Sequence, residues 1–340
     1  MPAQAPTSAH SLINFFSRSL SAFQSSGSKL HIVCTAAPAP QHRGSGHHGQ
    51  PTPLPPRARP CTLIVLDSSF NPPTRAHLRM AASAVHDLAD KEGQRPAALR
   101  LLLLLSVNNA DKTPKPAAFD KRLAMMWAFA RDLQQQRQQQ QQGQQGEQGE
   151  PEPSSAEDGR AHDEGLSIDL GLSTLPYFHE KSAAIAESEF YKGEGDGGDA
   201  KMEQLILVGY DTLIRIFNPK YYGSPGSVAD GVTSMRRALA PFFARARLRV
   251  TLRTDDEWGN EEEQRAYLES LWKADGLGGA DGSREWEGRI EMVEGRRVGA
   301  DIISSTYARA AARDRDQDRL DALVTPEVRW WIDQERLYAE

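Results

Sequence analysis

The 340-residue chain has 46 Asp and Glu residues against 40 Lys and Arg residues, which gives a formal net charge of −6. This balance disfavours nucleic acid as a partner, because no excess of cationic side chains is present to neutralise phosphates. The two cysteines, Cys34 and Cys61, lack the spacing of metal ligands and indicate a reducing compartment. The longest apolar run, residues 99–107, is too short to cross a bilayer. We therefore expect a soluble protein with no nucleic-acid or membrane partner.

Residues 1–60 contain no Asp or Glu, but they contain several Lys and Arg residues and many serines. An apolar stripe recurs at helical spacing and consists of Leu12, Phe15, Phe16, Leu20 and Phe23. This composition is typical of a mitochondrial transit peptide. The alternative is a helix packed on the domain, then a strand at residues 30–34 and a flexible Pro-rich linker up to residue 60. We expect a cytoplasmic or nuclear location, with the mitochondrion as the alternative.

The stretch 62–80 reads T-L-I-V-L-D-S-S-F-N-P-P-T-R-A-H-L-R-M. Residues 62–66 form a short apolar run, which is typical of a strand buried on both faces. The small polar residues and prolines that follow favour a turn, and a helical pattern begins at Thr74. A tight strand–turn–helix directs backbone N–H groups and a helix N-terminus at one point, which attracts phosphate. Thr74 and His77 are three residues apart, so both side chains would face the same anion.

The segment S-S-F-N-P-P-T-R-A-H resembles the nucleotide-binding signature of the nucleotidylyltransferase superfamily. Within that superfamily it looks most like the nicotinamide and nicotinate mononucleotide adenylyltransferases, especially their divergent fungal-type relatives. The matching positions are Ser69, Phe70, Asn71, Pro72, Thr74 and His77. Two positions depart from the usual signature, because Ser68 and Ala76 stand where the family has glycine.

The resemblance implies an α/β fold of the nucleotidylyltransferase type, with a Rossmann-like parallel sheet flanked by helices. We assign residues 61–340 to this domain and residues 1–60 to the N-terminal segment. Two insertions, at about 134–165 and 192–200, are rich in Gln, Gly and Glu. They have too little apolar surface to offset their ordering entropy, so we predict that they are disordered.

A second buried strand is predicted at residues 99–107 and a helix at residues 119–133. The resemblance implies that a lysine in the loop between them contacts phosphate. Lys112 is favoured because it is closer to the end of the strand, and Lys115 is the alternative.

A helix is predicted to open within residues 175–185. The resemblance implies aromatic contacts to the nicotinamide or base in this region, which makes Tyr177 and Phe178 candidates and Lys181 a weaker one. It also implies a stacking platform for the pyridine ring farther along the chain, at Tyr222 or Tyr221. For Tyr177, Phe178 and Lys181, core packing is the alternative, and the lack of a sharp motif favours it.

Residues 204–208 form the third clear strand and are followed by Gly209-Tyr210-Asp211. A glycine at the carboxyl edge of a strand followed by an acid suits contacts to ribose hydroxyls. This pair resembles the G-x-D element of the family, in which the aspartate helps to hold the nucleotide. Further strands are predicted at residues 247–254 and 289–293.

The segment 303–309 reads I-S-S-T-Y-A-R and matches the family motif I-S-S-T-x-x-R. Ser304, Ser305 or Thr306 can cap the helix that follows, which leaves hydroxyl and N–H groups for ATP phosphates. Arg309 lies three residues beyond Thr306 and can share that face. A capped surface helix is the alternative, but the first motif occurs in the same chain. The closing residues 324–338 resemble the terminal helix of the family.

The activity implied is that of a nicotinamide mononucleotide adenylyltransferase, which forms NAD and pyrophosphate from ATP and the mononucleotide. His77 would contact the ATP phosphates, with Thr74 in place of the first histidine of other members. Lys112 and Arg309 would hold the β and γ phosphates. The other nucleotide-binding candidates are Ser69, Phe70, Asn71, Gly209, Asp211, Ser304, Ser305 and Thr306. Mg²⁺ would arrive bound to ATP, so we expect no metal site on the protein.

ATP and a pyridine mononucleotide are therefore the expected partners, and a homo-oligomer is compatible with the sequence. Three alternatives stay open. A related enzyme could use nicotinate mononucleotide or a cytidylyl acceptor. A class I aminoacyl-tRNA synthetase-like protein is disfavoured by the acidic charge and by the lack of a K-M-S-K-S-like stretch. A nucleotide-binding regulatory protein that has lost catalysis is the third, since a fold and a motif do not guarantee function.

Overall fold

The computed structural model describes residues 9–38, 51–90, 93–94, 98–107, 117–145, 165–193, 201–223, 228–253, 259–272, 283–295 and 302–339. The strands are β1 Leu30–Ala36, β2 Thr62–Asp67, β3 Leu99–Ser106, β4 Ser167–Ser173, β5 Glu203–Gly209, β6 Ala246–Thr251 and β7 Ile290–Val293. They form one seven-stranded sheet in the order β1-β4-β3-β2-β5-β6-β7. Every pairing is parallel except that of β1, which runs antiparallel to β4.

Helices cover both faces of this sheet. They are α1 Ala9–Ser26, α2 Arg75–Asp90, α3 Phe119–Gln145, α4 Phe178–Glu187, α5 Tyr210–Ile216, α6 Val228–Phe243, α7 Glu261–Leu271, α8 Ser305–Asp314, α9 Gln317–Leu323 and α10 Pro326–Gln334. On one face α1, α2, α3 and α8 to α10 share a hydrophobic core with Ile64 and Leu66 of β2. On the other face α4, α5, α6 and α7 share a second core with Leu63 and Val65. The prediction of a Rossmann-like α/β fold is confirmed.

The order of the strands reverses between β2 and β5. From β2 the chain proceeds to β3 and β4 on one side, and it then crosses to β5, β6 and β7 on the other side. The carboxyl ends of the parallel strands meet at one edge of the sheet. Ligands of open α/β sheets bind outside this edge at the reversal point, which is where the first motif follows β2.

The N-terminal residues described here contribute to the same sheet and core. β1 pairs with β4 along its length, from Leu30 opposite Ser173 to Ala36 opposite Ile168. Phe16 and Phe23 of α1 are fully buried in the core that α1 shares with α2 and α3. Within the described residues, no helix combines the length and the apolar character that a membrane span requires.

Helix α3 ends at Gln145, whereas the sequence predicts an end at residue 133 and disorder from residue 134. That part of the prediction is wrong, because glutamine is a good helix former and the helix simply continues through the Gln tract. The first residue beyond the predicted end is also anchored. Gln134 donates from Nε2 to the backbone carbonyls of Ala36, at 2.9 Å, and Leu166, at 3.2 Å. The predicted insertions at 146–164 and 194–200 lie outside the described residues.

Strand β4 has no counterpart among the predicted elements. Its sequence, S-I-D-L-G-L-S, carries an aspartate as its third residue, and this residue, Asp169, is fully buried. Arg100 of β3 donates to both carboxylate oxygens of Asp169, from Nε at 2.6 Å and from Nη2 at 2.8 Å. Thr35 and Tyr191 donate to the same carboxylate at 2.7 and 3.1 Å. Four hydrogen bonds from three other segments therefore compensate the burial of this charge.

Candidate active site

The turn after β2 is held in an unusual backbone conformation. Phe70 has a positive φ of 43° although it is not a glycine, and its side chain is fully buried. The left-handed region costs a bulky residue about 1 kcal/mol or more, so the surrounding packing must fix this conformation. The next residue, Asn71, is buried, precedes a cis peptide bond to Pro72, and accepts a hydrogen bond at Oδ1 from the Tyr338 hydroxyl at 2.8 Å.

His77 lies in the first turn of α2, where both of its ring nitrogens are engaged. The backbone N–H of Thr74 donates to Nδ1 at 3.0 Å, and the Thr74 hydroxyl lies 2.9 Å from the same atom. Nε2 lies 3.0 Å from the hydroxyl of Ser68. His77 thus occupies the place that Glu has in a capping box, since its side chain accepts from the N–H of the residue before the helix.

These contacts define the protonation state of the imidazole. A backbone N–H can only donate, so Nδ1 must be the acceptor and the ring proton must be on Nε2. Burial lowers the pKa of His77 from 6.5 to about 4, because the charged ring would lose its hydration. At neutral pH His77 is therefore an uncharged hydrogen-bond donor whose Nε2–H is directed at Ser68.

The second motif packs directly on the first. Ser304 caps α8 by accepting a hydrogen bond from the N–H of Tyr307 at 3.2 Å. The Ser305 hydroxyl donates to the carbonyl of Pro72 at 2.8 Å. Arg309 donates to the carbonyl of Asn71 at 2.7 Å and to the Thr306 hydroxyl at 3.1 Å. The N-terminus of α8 is thereby fixed beside that of α2.

The glycine and the aspartate after β5 belong to the same edge of the sheet. Gly209 precedes the first turn of α5, and a Cβ atom at this position would lie 2.8 Å from Oδ1 of Asp211. Glycine therefore allows the Asp211 carboxylate to fold back over the start of the helix. Arg253, which follows β6, lies 3.4 Å from the same oxygen and orients it. Arg253 gives no signal of this role in the sequence.

The two tyrosines predicted to contact the pyridine lie in one aromatic cluster, which consists of Tyr177, His179, Tyr221 and Tyr222. The ring of His179 is stacked on Tyr177, with centroids 5.7 Å apart and planes at 12°. The centroid of the His179 ring also lies 5.4 Å from that of Tyr222, with the planes at 34°. Tyr222 is anchored by a hydrogen bond from its hydroxyl to the carbonyl of Ile216 at 2.7 Å.

His179 joins the two predicted tyrosines, and the sequence reasoning missed it. Its Nδ1 atom is buried and has no hydrogen-bond partner among the described residues. Burial lowers the pKa of His179, and Glu180 offsets this effect in part. The imidazole is therefore neutral at physiological pH.

An ion pair links the end of β2 to α4. Asp67, the last residue of β2, bonds to the ammonium of Lys181, and both side chains are less than a tenth exposed. The Lys181 Nζ atom also lies 5.1 Å from the centre of the Phe178 ring. The sequence suggested Lys181 only as a weaker candidate, and Asp67 only as part of a turn.

The predicted site residues thus form three groups along one edge of the sheet. Thr74 and His77 contact each other at the start of α2, and the turn before them meets α8, where Ser305 bonds to Pro72 and Arg309 to Asn71. Gly209 and Asp211 follow β5, and Tyr177 is linked to Tyr222 through His179. Lys112 and Lys115 lie outside the described residues. Within the described part of the chain, no group of three or more His, Cys, Asp and Glu side chains could hold a metal ion.

This arrangement suits the binding and alignment of phosphate groups. It combines two helix N-termini, a neutral histidine donor and an arginine at the reversal point of the sheet, all of which stabilise negative charge. A general base is not apparent in this group, because Nδ1 of His77 is already occupied by Thr74.

The chain is similar to known proteins in sequence and in fold. No family model matches the chain. A curated protein of Schizosaccharomyces pombe, named "Putative nicotinamide mononucleotide adenylyltransferase", is 27% identical over 268 residues, which cover 78% of the chain and 82% of that protein.

Among solved structures, two of Plasmodium falciparum nicotinic acid mononucleotide adenylyltransferase, complexed with NaAD and with APC, match at TM-scores of 0.38 and 0.37. They are 10% and 11% identical to the chain, and each match covers 82% of this chain and 97% of the other. These scores are too low to bear on function. The resemblance of the chain to the nucleotidylyltransferase superfamily, and within it to the pyridine mononucleotide adenylyltransferases, is confirmed by its curated relative.

Proposed function

We propose that this protein is an adenylyltransferase that moves the AMP group of ATP to the phosphate of a pyridine mononucleotide and releases pyrophosphate. The observation that carries the proposal is the contact between the two motifs. Ser305 and Arg309 bond to the backbone carbonyls of Pro72 and Asn71. Neither motif alone would be specific, but their junction at the reversal point concentrates phosphate-binding groups where such sheets bind nucleotides.

The reaction needs alignment more than acid–base chemistry. The phosphate of the mononucleotide is already ionised at neutral pH and attacks the α-phosphorus of ATP, so no side chain has to remove a proton. The neutral Nε2–H of His77 would donate to an ATP phosphate oxygen in place of Ser68. Arg309 would hold the β and γ phosphates with the N-terminus of α8. Catalysis would then result from positioning and from stabilisation of charge on the transferring group.

Magnesium would enter with its substrate. Mg²⁺ usually keeps several water ligands and is bound through substrate phosphates rather than by a protein cage. We therefore propose Mg-ATP as the substrate form. The chemistry that the ion supplies is neutralisation of phosphate charge.

Nicotinamide mononucleotide is our proposed acceptor, in preference to nicotinate mononucleotide. The curated relative carries the nicotinamide name. The aromatic cluster also supports this choice, because burial lowers the pKa of His179, so its imidazole itself carries no charge that would attract a carboxylate. The buried Nδ1 of His179, which has no partner among the described residues, instead suits a hydrogen bond to an amide.

The test is pyrophosphate release from Mg-ATP with nicotinamide or nicotinate mononucleotide, with a His77→Ala variant as control. We expect turnover with the wild-type protein, faster with the nicotinamide compound, and none with the variant. Turnover only when CTP and a cytidylyl acceptor replace ATP and the mononucleotide would overturn the proposed substrates. ATP binding without any pyrophosphate release would identify a nucleotide-binding protein that has lost catalysis.

A further inference from the structure

Two consecutive residues at the end of β2 point to opposite faces of the sheet. Strand residues alternate in direction, and Val65 and Leu66 already belong to different cores. Ser68 lies on the face of α2 and contacts His77, while Asp67 lies on the face of α4 and contacts Lys181. A side-chain hydrogen-bond donor therefore lies on each side of one strand end, His77 on the first face and Lys181 on the second.

The pair of Asp67 and Lys181 is costly to maintain. Their side chains are 7% and 8% exposed, respectively. Removing two charges from water often costs as much as their mutual attraction returns, so a buried ion pair is weak evidence for a contribution to stability. A role in binding explains why a lysine is placed at this edge.

The ammonium of Lys181 has the capacity to bind a second anion. A lysine ammonium has three N–H donors. Asp67 is its hydrogen-bond acceptor among the described residues, and the face of the Phe178 ring lies beside it. Donors are therefore left for a phosphate oxygen while the contact to Asp67 persists.

Helix α4 connects this ammonium to the aromatic cluster. Tyr177 immediately precedes the helix, and the backbone N–H of Lys181 donates to the carbonyl of Tyr177 at 3.0 Å. Residues four apart lie on the same side of a helix and are separated by a rise of about 6 Å. The backbone positions that carry an aromatic ring and a cation are thus separated on the scale of one nucleotide.

We infer that Lys181 binds the phosphate of the acceptor mononucleotide and that Asp67 holds the ammonium in place before the substrate arrives. The inference rests on the proposed function, since it names the residue that positions the attacking phosphate. Asp67 also has a chemical consequence. Asp67 neutralises part of the lysine charge. Lys181 can therefore orient the phosphate while the phosphate oxygens stay nucleophilic.

The test compares two ligands that differ by the phosphate alone, nicotinamide mononucleotide and nicotinamide riboside. Their dissociation constants are measured by calorimetry for the wild-type protein, for Lys181→Met and for Lys192→Met. Lys192 follows α4 and forms an exposed ion pair with Glu189, so its substitution is a matched loss of one lysine. We expect Lys181→Met to weaken mononucleotide binding about tenfold to a hundredfold, as for a hydrogen bond to a charged group. Riboside binding and the Lys192→Met variant should be unchanged.

A structural role of Lys181 would weaken both ligands equally, and this result would overturn the inference, as would an unchanged affinity for the mononucleotide. Lys181→Met leaves the Asp67 carboxylate buried without its partner and can unfold the protein. The double variant Asp67→Asn with Lys181→Gln removes both charges together. It should fold and should also lose the affinity that depends on the phosphate.

Failure of the inference can be told apart from failure of the proposed function. Pyrophosphate release with an unchanged KM for the mononucleotide in the double variant would overturn the role of Lys181 and leave the activity intact. Binding that depends on both the phosphate and Lys181, without turnover in the wild-type protein, would support the site and overturn the activity.

Discussion

Arg309 donates a hydrogen bond from Nη1 to the backbone carbonyl of Asn71 at 2.7 Å, although 238 positions separate the two residues in the chain. The guanidinium is held at the turn after β2 by this bond and at its own helix by the bond to Thr306. Arginine suits such a role, because its planar fork of donors serves a carbonyl on one side and a phosphate on another.

Arg309→Lys tests whether the fork is required in addition to the charge. A lysine keeps the charge but cannot serve Asn71, Thr306 and a phosphate together. We expect kcat/KM for ATP to fall about tenfold or more, and the free energy of unfolding to fall by about 1–2 kcal/mol. Steady-state kinetics and urea unfolding measure the two effects.

Arg313 provides the matched control for this substitution. It lies one turn farther along α8, is exposed, and pairs with the neighbouring Asp314. Arg313→Lys should leave both kcat/KM and stability unchanged within about 0.5 kcal/mol. Equal effects of the two substitutions would mean that Arg309 acts only through the stability of α8.

His77→Asn separates the structural role of the imidazole from its role as a donor. The Oδ1 atom of asparagine can replace Nδ1 as the acceptor for the N–H of Thr74, but no group replaces Nε2–H. Stability should therefore change by less than about 1 kcal/mol, the usual value of a cap. The kcat should fall roughly a hundredfold to a thousandfold, as for loss of one donor to a transition state. Normal turnover with asparagine at this position would exclude His77 from catalysis.

The low pKa of His77 predicts a dependence of stability on pH. The folded protein holds the imidazole neutral down to a pKa of about 4, whereas the unfolded chain protonates it near 6.5. The unfolded state therefore binds more protons between these values. The resulting stabilisation, about 3 kcal/mol at most, is complete above pH 6.5 and is lost as the pH falls towards 4.

The measurement is urea unfolding at pH 7 and pH 5, carried out for the wild-type protein and for His77→Asn. Other groups titrate in this range, so the informative quantity is the difference between the two proteins. The wild-type protein should lose more stability on acidification than the variant. Parallel losses would show that the imidazole is solvated and has an ordinary pKa.

The two motifs and their strands could be predicted because their signals are local. A short apolar run, a turn with two prolines and a capped helix are each readable within about ten residues. The contacts that complete the site could not be predicted in this way. Tyr338 reaches Asn71, and Lys181 reaches Asp67, only because the sheet brings distant segments to one edge.

Strand β4 shows a different limit of sequence reasoning. Its apolar residues alternate as expected of a strand, but Asp169 and Gly171 interrupt the run, and a polar tract precedes it. A buried aspartate becomes acceptable only when donors surround it, and here they come from β1, β3 and a turn at Tyr191. No residue pattern within the strand itself predicts these partners.

Tyr222 tests the aromatic cluster through two substitutions with different expected outcomes. Tyr222→Phe removes the hydroxyl bond to Ile216 and should cost about 1 kcal/mol of stability, while the ring and the KM for the mononucleotide are retained. Tyr222→Ala also removes the ring and should raise that KM about threefold to tenfold. An equal KM in the two variants would show that the ring packs in the protein and does not contact the substrate.

Asp169→Asn should be severely destabilising and yet leave the chemistry intact. The amide nitrogen would face donors that now bond to a carboxylate, and Arg100 would lose the negative charge that now compensates its own. Breaking a buried pair in this way costs about 3–5 kcal/mol.

Lys192→Met, which breaks the exposed pair with Glu189, should cost about 1 kcal/mol or less. Because the buried network does not include any residue of the proposed site, the folded fraction of Asp169→Asn should retain the wild-type kcat at low temperature. A reduced kcat in fully folded protein would mean that β4 transmits a change to the site.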